Sequence, residues 1–190
     1  MNYQRLSSLN DEDLEFLHAH TRYDSVTIEL WYESFKKDCP DGRLTPEIYI
    51  KMYKQFFPAG NAEQFSDHIF RTLDIDGNGY LDFKEFLLAI DIMGDGTPEE
   101  KLKWAFRVFD VAGNDVIYPE EMTKVVQAIY TMLGTSVISQ TETAEERANR
   151  IFVQMDQNKD GHLTEEEFIK HCLQNDELSK MLTQGMISKK

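Results

Sequence analysis

Two stretches of the chain set oxygen-bearing side chains at alternate positions. One runs Asp74-Ile75-Asp76-Gly77-Asn78-Gly79-Tyr80-Leu81-Asp82-Phe83-Lys84-Glu85, the other Asp156-Gln157-Asn158-Lys159-Asp160-Gly161-His162-Leu163-Thr164-Glu165-Glu166-Glu167. In both, positions 1, 3, 5 and 9 carry Asp, Asn or Thr, position 6 is Gly, position 8 is Leu and position 12 is Glu. A hard divalent cation that takes six to eight oxygens asks for this pattern. Asp74, Asp76, Asn78 and Asp82 point inward in the first stretch, and Asp156, Asn158, Asp160 and Thr164 in the second. Tyr80 and His162 lend backbone carbonyls at position 7. Glu85 and Glu167 close each cage with two carboxylate oxygens. Gly79 and Gly161 permit a turn that a Cβ would hinder. Acidic surface turns would not match twice at every constrained position, so calcium is the expected ligand of both. The stretch from Asp74 carries four carboxylates against three in the other, and by charge count should bind more tightly.

The template is the calcium loop of an EF-hand, and two degenerate copies lie in register with it. Asp110-Val111-Ala112-Gly113-Asn114-Asp115-Val116-Ile117-Tyr118-Pro119-Glu120-Glu121 keeps Asp110, Asn114, the carbonyl of Val116 and Glu121, but Ala112 supplies no oxygen and Asp115 stands where Gly is wanted. Asp visits positive φ less readily than Gly, so a strained turn and a retained loop are expected, with calcium weak or absent and a poor third ion still open. Lys37-Asp38-Cys39-Pro40-Asp41-Gly42-Arg43-Leu44-Thr45-Pro46-Glu47-Ile48 has Lys, Cys and Ile at three ligand positions and should bind none. Its expected role is structural. The position-8 residues Leu44 and Leu81 are expected to pair across a short ribbon, as are Ile117 and Leu163.

Around the loops the apolar residues recur at helical spacing: Phe65, Ile69, Phe70 and Leu73 before the second loop, Phe83, Phe86, Leu87 and Ile90 after it. Leu102, Ala105, Phe106 and Phe109 precede the third loop and Val125, Ile129 and Leu133 follow it. Ala148, Ile151, Phe152 and Met155 lead into the fourth, and Phe168 follows it. Thr97-Pro98-Glu99-Glu100 and Thr143-Ala144-Glu145-Glu146 read as capped helix starts. Asn10 to Leu17 suggests an extra leading helix, Gly134 to Glu142 a long connection, and Gln174 to Lys190 a short helical or loose tail. The fold class is therefore all-α: four EF-hands in two pairs, residues 1–95 and 96–190, joined at Gly94-Asp95-Gly96, with two-stranded ribbons as the only β content.

Composition narrows the function classes. Thirty-four acidic residues against twenty basic ones give a net charge of -14, which opposes binding to nucleic-acid phosphate or anionic lipid and favours cations or a basic partner. A hydrophobic share of 41% is too high for an acidic disordered chain. There is no apolar run long enough for a membrane span and no signal core near the N-terminus. Two distant cysteines, Cys39 and Cys172, suggest a reducing, cytoplasmic setting without disulfides. His18, His20, His68, His162 and His171 belong to no nucleophile-base or zinc pattern, and no phosphate-binding glycine loop is present, so catalysis is not expected.

Trp31-Tyr32, Lys37 to Gly42 with its Cys-Pro in a disabled first loop, Tyr53-Lys54-Gln55-Phe56-Phe57-Pro58, Asp82 to Phe86 and Glu100 to Phe106 together resemble the neuronal calcium sensor family, the recoverin, visinin-like and frequenin group, over about residues 10 to 175. The resemblance implies a calcium-gated apolar groove, lined here by Trp31, Phe35, Tyr49, Met52, Tyr53, Phe56, Phe57, Phe86, Ile90 and Trp104, that takes an amphipathic helix of a kinase, cyclase or channel. Each of these side chains read alone fits ordinary core equally well. The family's lipid switch needs a glycine where this chain has Asn2, so no direct lipid anchor is expected and membrane association would come through a partner. Relatives commonly use the second and third loops, sometimes with the fourth, whereas here the second and fourth are intact. A sensor, monomeric or weakly dimeric, is the reading the aromatic groove set favours. A calcium buffer or a constitutive regulatory subunit without groove opening is the alternative.

Overall fold

Helix starts follow caps written in the sequence. In the computed structural model, which describes residues 9–56, 61, 63–133 and 142–175, Asn10 accepts the amide of Asp13 to open α1 (Asp11–His20) and Asp24 that of Thr27 to open α2 (Ser25–Asp38). The helices α3 (Pro46–Phe56) and α4 (Glu63–Leu73) follow. Reciprocal capping boxes begin α5 (Phe83–Asp95) with Asp82 and Glu85, and α6 (Pro98–Phe109) with Thr97 and Glu100. The strand β1 (Val116–Ile117) leads into α7 (Pro119–Leu133). Thr143 and Glu146 cap α8 (Ala144–Met155), and Thr164 and Glu167 cap α9 (Glu165–Gln174) after β2 (Leu163–Thr164). The second and fourth loops thus use positions 9 and 12 twice over, as ligand candidates and as the cap of the outgoing helix.

The dominant mostly helical architecture is the expected one. The ribbons form as expected too: Leu44 and Leu81 exchange two backbone hydrogen bonds of 2.9 Å as an antiparallel bridge. Ile117 pairs with Leu163 and Val116 with Thr164 in the β1–β2 ribbon. All four position-8 side chains are buried. Each loop therefore anchors its partner by a pair of apolar residues that need no metal. Phe65, Ile69, Leu73, Leu87, Leu102, Phe106, Phe109, Val125, Ile151, Phe152 and Phe168 build the core from the faces their spacing predicted.

The junction between the halves differs from expectation. Gly94 and Asp95 are helical rather than linking; α5 runs through both and ends where Gly96 N–H donates to Ile92 O at 3.1 Å. A Cβ on Gly96 would lie 2.2 Å from that carbonyl, so the close approach itself demands glycine. Only Gly96 and the cap Thr97 then separate α5 from α6. The side chain of Arg22, from the α1–α2 turn, spans this point, pairing with buried Asp91 of α5 and with Glu100 of α6. Further along, α4 packs on α6 and α7. Phe57, residues 134–141 and the tail beyond Asn175 lie outside the described residues.

Candidate metal sites

In the second loop, α4 delivers Asp74 at its C-terminal end and α5 delivers Glu85 in its first turn. Carboxylate oxygens of Asp74, Asp76 and Glu85 lie within 4.8 Å of one another, the one such acidic cluster among the described residues. Backbone amides hold them: Asn78 and Gly79 N–H donate to the two oxygens of Asp74 at 3.0 and 2.9 Å. Those of Ile75 and Asp76 reach Glu85 Oε1 at 2.8 and 3.3 Å. Burial pushes the Glu85 carboxyl above its ordinary range, partly offset by backbone amides. Three converging acids with one buried ask for a compensating cation, and the set fits calcium. Asp82 is turned partly to its cap, Oδ1 accepting Glu85 N–H at 2.9 Å. The second loop's charge advantage therefore rests chiefly on Asp74, Asp76 and Glu85.

The fourth loop shares this backbone. Gly161 N–H donates to Asp156 Oδ2 at 3.1 Å, while Asp156 Oδ1 is buried with no hydrogen-bond donor among the described residues. A buried carboxylate oxygen without a donor is what a metal ligand looks like before its ion. Asp160 is drawn aside, accepting from Asn158 Nδ2 at 2.7 Å and lying 3.1 Å from His162 Nδ1. Thr164 hydroxyl donates to Glu167 Oε2 at 2.9 Å. The side chains are in place but less gathered than in the second loop.

The third loop makes the strained turn expected of it: Asp115 adopts φ of +63°, and positions 4 and 6 are left-handed in the second, third and fourth loops alike. Asp tolerates this region better than most residues because its short side chain bonds locally. The third loop therefore departs from the second and fourth in its ligand positions and keeps their backbone. Its acids are spent inside: Asp110 accepts from Gly113, Asn114 and Asp115 N–H at 2.7, 3.1 and 2.9 Å. Glu121 accepts from Ala112 and Tyr118 N–H at 2.7 and 2.9 Å. Both side chains are buried. Asn114 and Val116 remain near the rim. In the first loop Cys39 is buried, its thiol pushed up by burial, and Lys36 Nζ donates to Pro40 O at 2.6 Å.

The residues assigned to a groove are mostly folded in on themselves. Trp31 and Phe35 meet Phe86 with ring centroids 6.0 and 5.2 Å apart, and Tyr49 stacks on Tyr53 at 5.8 Å. Burial raises the Tyr49 and Tyr53 phenols. Phe35, Tyr53 and Trp104 are buried, while Trp31, Tyr49, Met52, Phe86 and Ile90 are half-buried. The Trp104 indole N–H has no acceptor among the described residues. Phe57 and the side chain of Phe56 lie outside the described residues. Two cations escaped the sequence reading: Arg22, in the inter-pair bridge, and Arg71, whose Nη2 donates to the carbonyls of Arg107 and Val108 at 2.9 and 3.3 Å. Neither sits in a motif; packing alone brings them to their partners.

Paired helix–loop–helix units with oxygen-lined loops define a calcium-binding EF-hand protein. Models of an EF-hand domain pair match residues 41–90 and 99–173. The chain is 43% identical to neuronal calcium sensor 1 of Lymnaea stagnalis over 182 residues, 95% of each chain. It is 35% identical to human recoverin over 186 residues, covering 96% of this chain and 93% of recoverin. S-modulin of Aquarana catesbeiana is 33% identical over 96% of this chain and 92% of its own. The chain belongs to the neuronal calcium sensor family and is a calcium sensor whose ligand is Ca²⁺. No helix among the described residues is long and apolar enough to cross a membrane.

Proposed function

We propose that this sensor loads Ca²⁺ at its second and fourth loops and, on loading, opens the aromatic cluster of the N-terminal pair to an amphipathic helix of a target protein. The observation that carries this reading is the connection from Glu85 to the rings. Glu85 faces Asp74 and Asp76 across the second loop, and the next residue, Phe86, lies against Trp31 and Phe35. An ion that draws Glu85 toward the end of α4 shifts the first turn of α5, and with it the ring on which the closed cluster depends. Calcium acts by binding the open arrangement more tightly than the closed one. The chain's charge of -14 suits a basic helix, of kinase, cyclase or channel class by family resemblance, and gives nucleic acid no foothold. A cytoplasmic monomer or weak dimer, reaching membranes through its partner, completes the reading, with a division into pairs near residue 95.

The test is apolar-dye fluorescence on the full chain with calcium, with magnesium alone, and in Glu85→Gln. A calcium-specific rise lost in Glu85→Gln is the expected result. Calcium uptake without any rise would favour a buffer or a constitutive subunit instead.

A further inference from the structure

The first hand grips the second calcium loop at the residue that offers its carbonyl. Leu81 N–H donates to Leu44 O at 2.9 Å, and the peptide that carries this N–H is the one whose oxygen belongs to Tyr80. In a trans peptide the two groups point opposite ways, so a first hand that holds the N–H also turns the position-7 oxygen away from itself. One residue before Leu44 stands Arg43, at position 7 of the first loop, and its guanidinium lies over the Tyr80 ring, 4.8 Å from the centroid. Ribbon and stack thus hold both the peptide and the side chain of one ligand position. The base of this grip is made by the chain alone: Gly42 takes φ of +77° with its N–H on Cys39 O at 2.9 Å, and Arg43 N–H donates to Asp41 Oδ1 at 3.2 Å. The C-terminal pair is built otherwise. Position 7 of the third loop is Val116, with no charge to offer, and the His162 ring of the fourth lies 6.1 Å from that of Tyr118.

We propose that the first hand sets the calcium affinity of the second loop through Arg43, a positioning residue that holds Tyr80, and with it the position-7 carbonyl, in place before the ion arrives. This deepens the assignment of calcium to the second loop and rests on it. A neutral carbonyl is drawn to an ion less strongly than a carboxylate, so its contribution gains most from being oriented beforehand. Two effects of Arg43 oppose each other. As a cation it repels a divalent ion, but it is exposed, and water and salt screen it. As a clamp it acts at contact, where an exposed cation–π pair is worth about threefold in an equilibrium constant. At physiological salt the contact outweighs the screened charge. A hand without ligands of its own thereby takes part in the neighbouring site.

The test uses the full chain as parent, Arg43→Gln, Tyr80→Leu, the double variant and Tyr80→Phe, in about 0.15 M salt. Without calcium, hydrogen exchange of the Leu81 amide is compared with that of Leu163, its counterpart in the other ribbon. With calcium, binding to the second loop is followed at the Gly79 amide and binding to the fourth at Gly161. Arg43→Gln and Tyr80→Leu should each weaken the second loop about threefold and speed Leu81 exchange by a similar factor, leaving Leu163 and Gly161 unchanged. The double variant should be no weaker than either single one, because the two side chains share one contact. Tyr80→Phe keeps the ring and should match the parent. Binding in Arg43→Gln as tight as in the parent, or effects that simply add in the double variant, would overturn the proposal; tighter binding would overturn it too, by showing that repulsion outweighs the clamp. A Gly79 signal that never moves in the parent would overturn the calcium assignment beneath it, and is told apart because it appears before any substitution is made.

Discussion

The second and third loops share a backbone and differ in what their acids do. Both begin with an Asp accepting the position-6 amide at 2.9 Å and end with a Glu that accepts backbone N–H groups with both oxygens. In the second loop a third carboxylate, Asp76, joins them, and the cluster carries excess negative charge. In the third, Ala112 contributes only an N–H, given to Glu121. Turn, ribbon and helix start are thus kept in a loop whose ligand positions differ. The fold tolerates this because Ile117 and Leu163, like Leu44 and Leu81, pair through apolar burial and backbone bonds.

The comparison breaks most sharply at position 12. Glu85→Gln should lower second-loop calcium affinity by more than about tenfold, measured calorimetrically, because the bidentate charged closure is lost. Glu121→Ala should leave the two strong calcium steps in place but strand the amides of Ala112 and Tyr118, costing about 2 kcal/mol of stability in denaturant unfolding. If the two substitutions had the same effect on calcium uptake, the distinction between the loops would be wrong.

Repair gives the next largest effect. Ala112→Asp with Asp115→Gly should add a third calcium step to the titration, by restoring an oxygen where only a methyl stands. Asp115→Gly alone should add no step and should stabilise the ion-free chain by about 1 kcal/mol, since φ of +63° suits glycine better than any L residue. The smallest effect concerns the inter-pair start of α6. The Thr97 amide, and then Arg22, hold the Glu100 carboxyl below its ordinary range. A lowered folded pKa contributes stability that is complete above the unfolded value and is lost as pH falls through the folded one. The stability gap between parent and Glu100→Gln should therefore be present at neutral pH and shrink on acidification through the carboxylate range, as unfolding curves at several pH values would show.

What could be read in the sequence was what is local. The ligand spacing of Asp74 to Glu85 and Asp156 to Glu167, the position-8 pairs, and the caps Thr97 and Thr143 all act within one loop or one turn. What escaped depends on packing between distant segments. Arg71 meets the last turn of α6 because α4 lies on that helix, and Arg22 meets Asp91 because the α1–α2 turn folds back across the end of α5. No spacing rule reports either. Gly94 and Asp95 looked like a linker because glycine weakens helices, yet α5 continues to Gly96, where the close approach of Ile92 O ends it. The aromatic residues from Trp31 to Ile90 were legible as a set, but whether they face one another or a partner depends on the angle between helices, which side-chain types do not encode.

The most direct test of the central claim follows three amides through one calcium titration. Gly79, Asp115 and Gly161 occupy position 6 of the second, third and fourth loops, and each donates to the first-position aspartate of its own loop. Their backbone resonances therefore report each loop separately. The signals of Gly79 and Gly161 should move until two ions per chain are bound, while Asp115 stays in place. Movement of Asp115 with the first ions, or a Gly161 signal that never moves, would contradict the account.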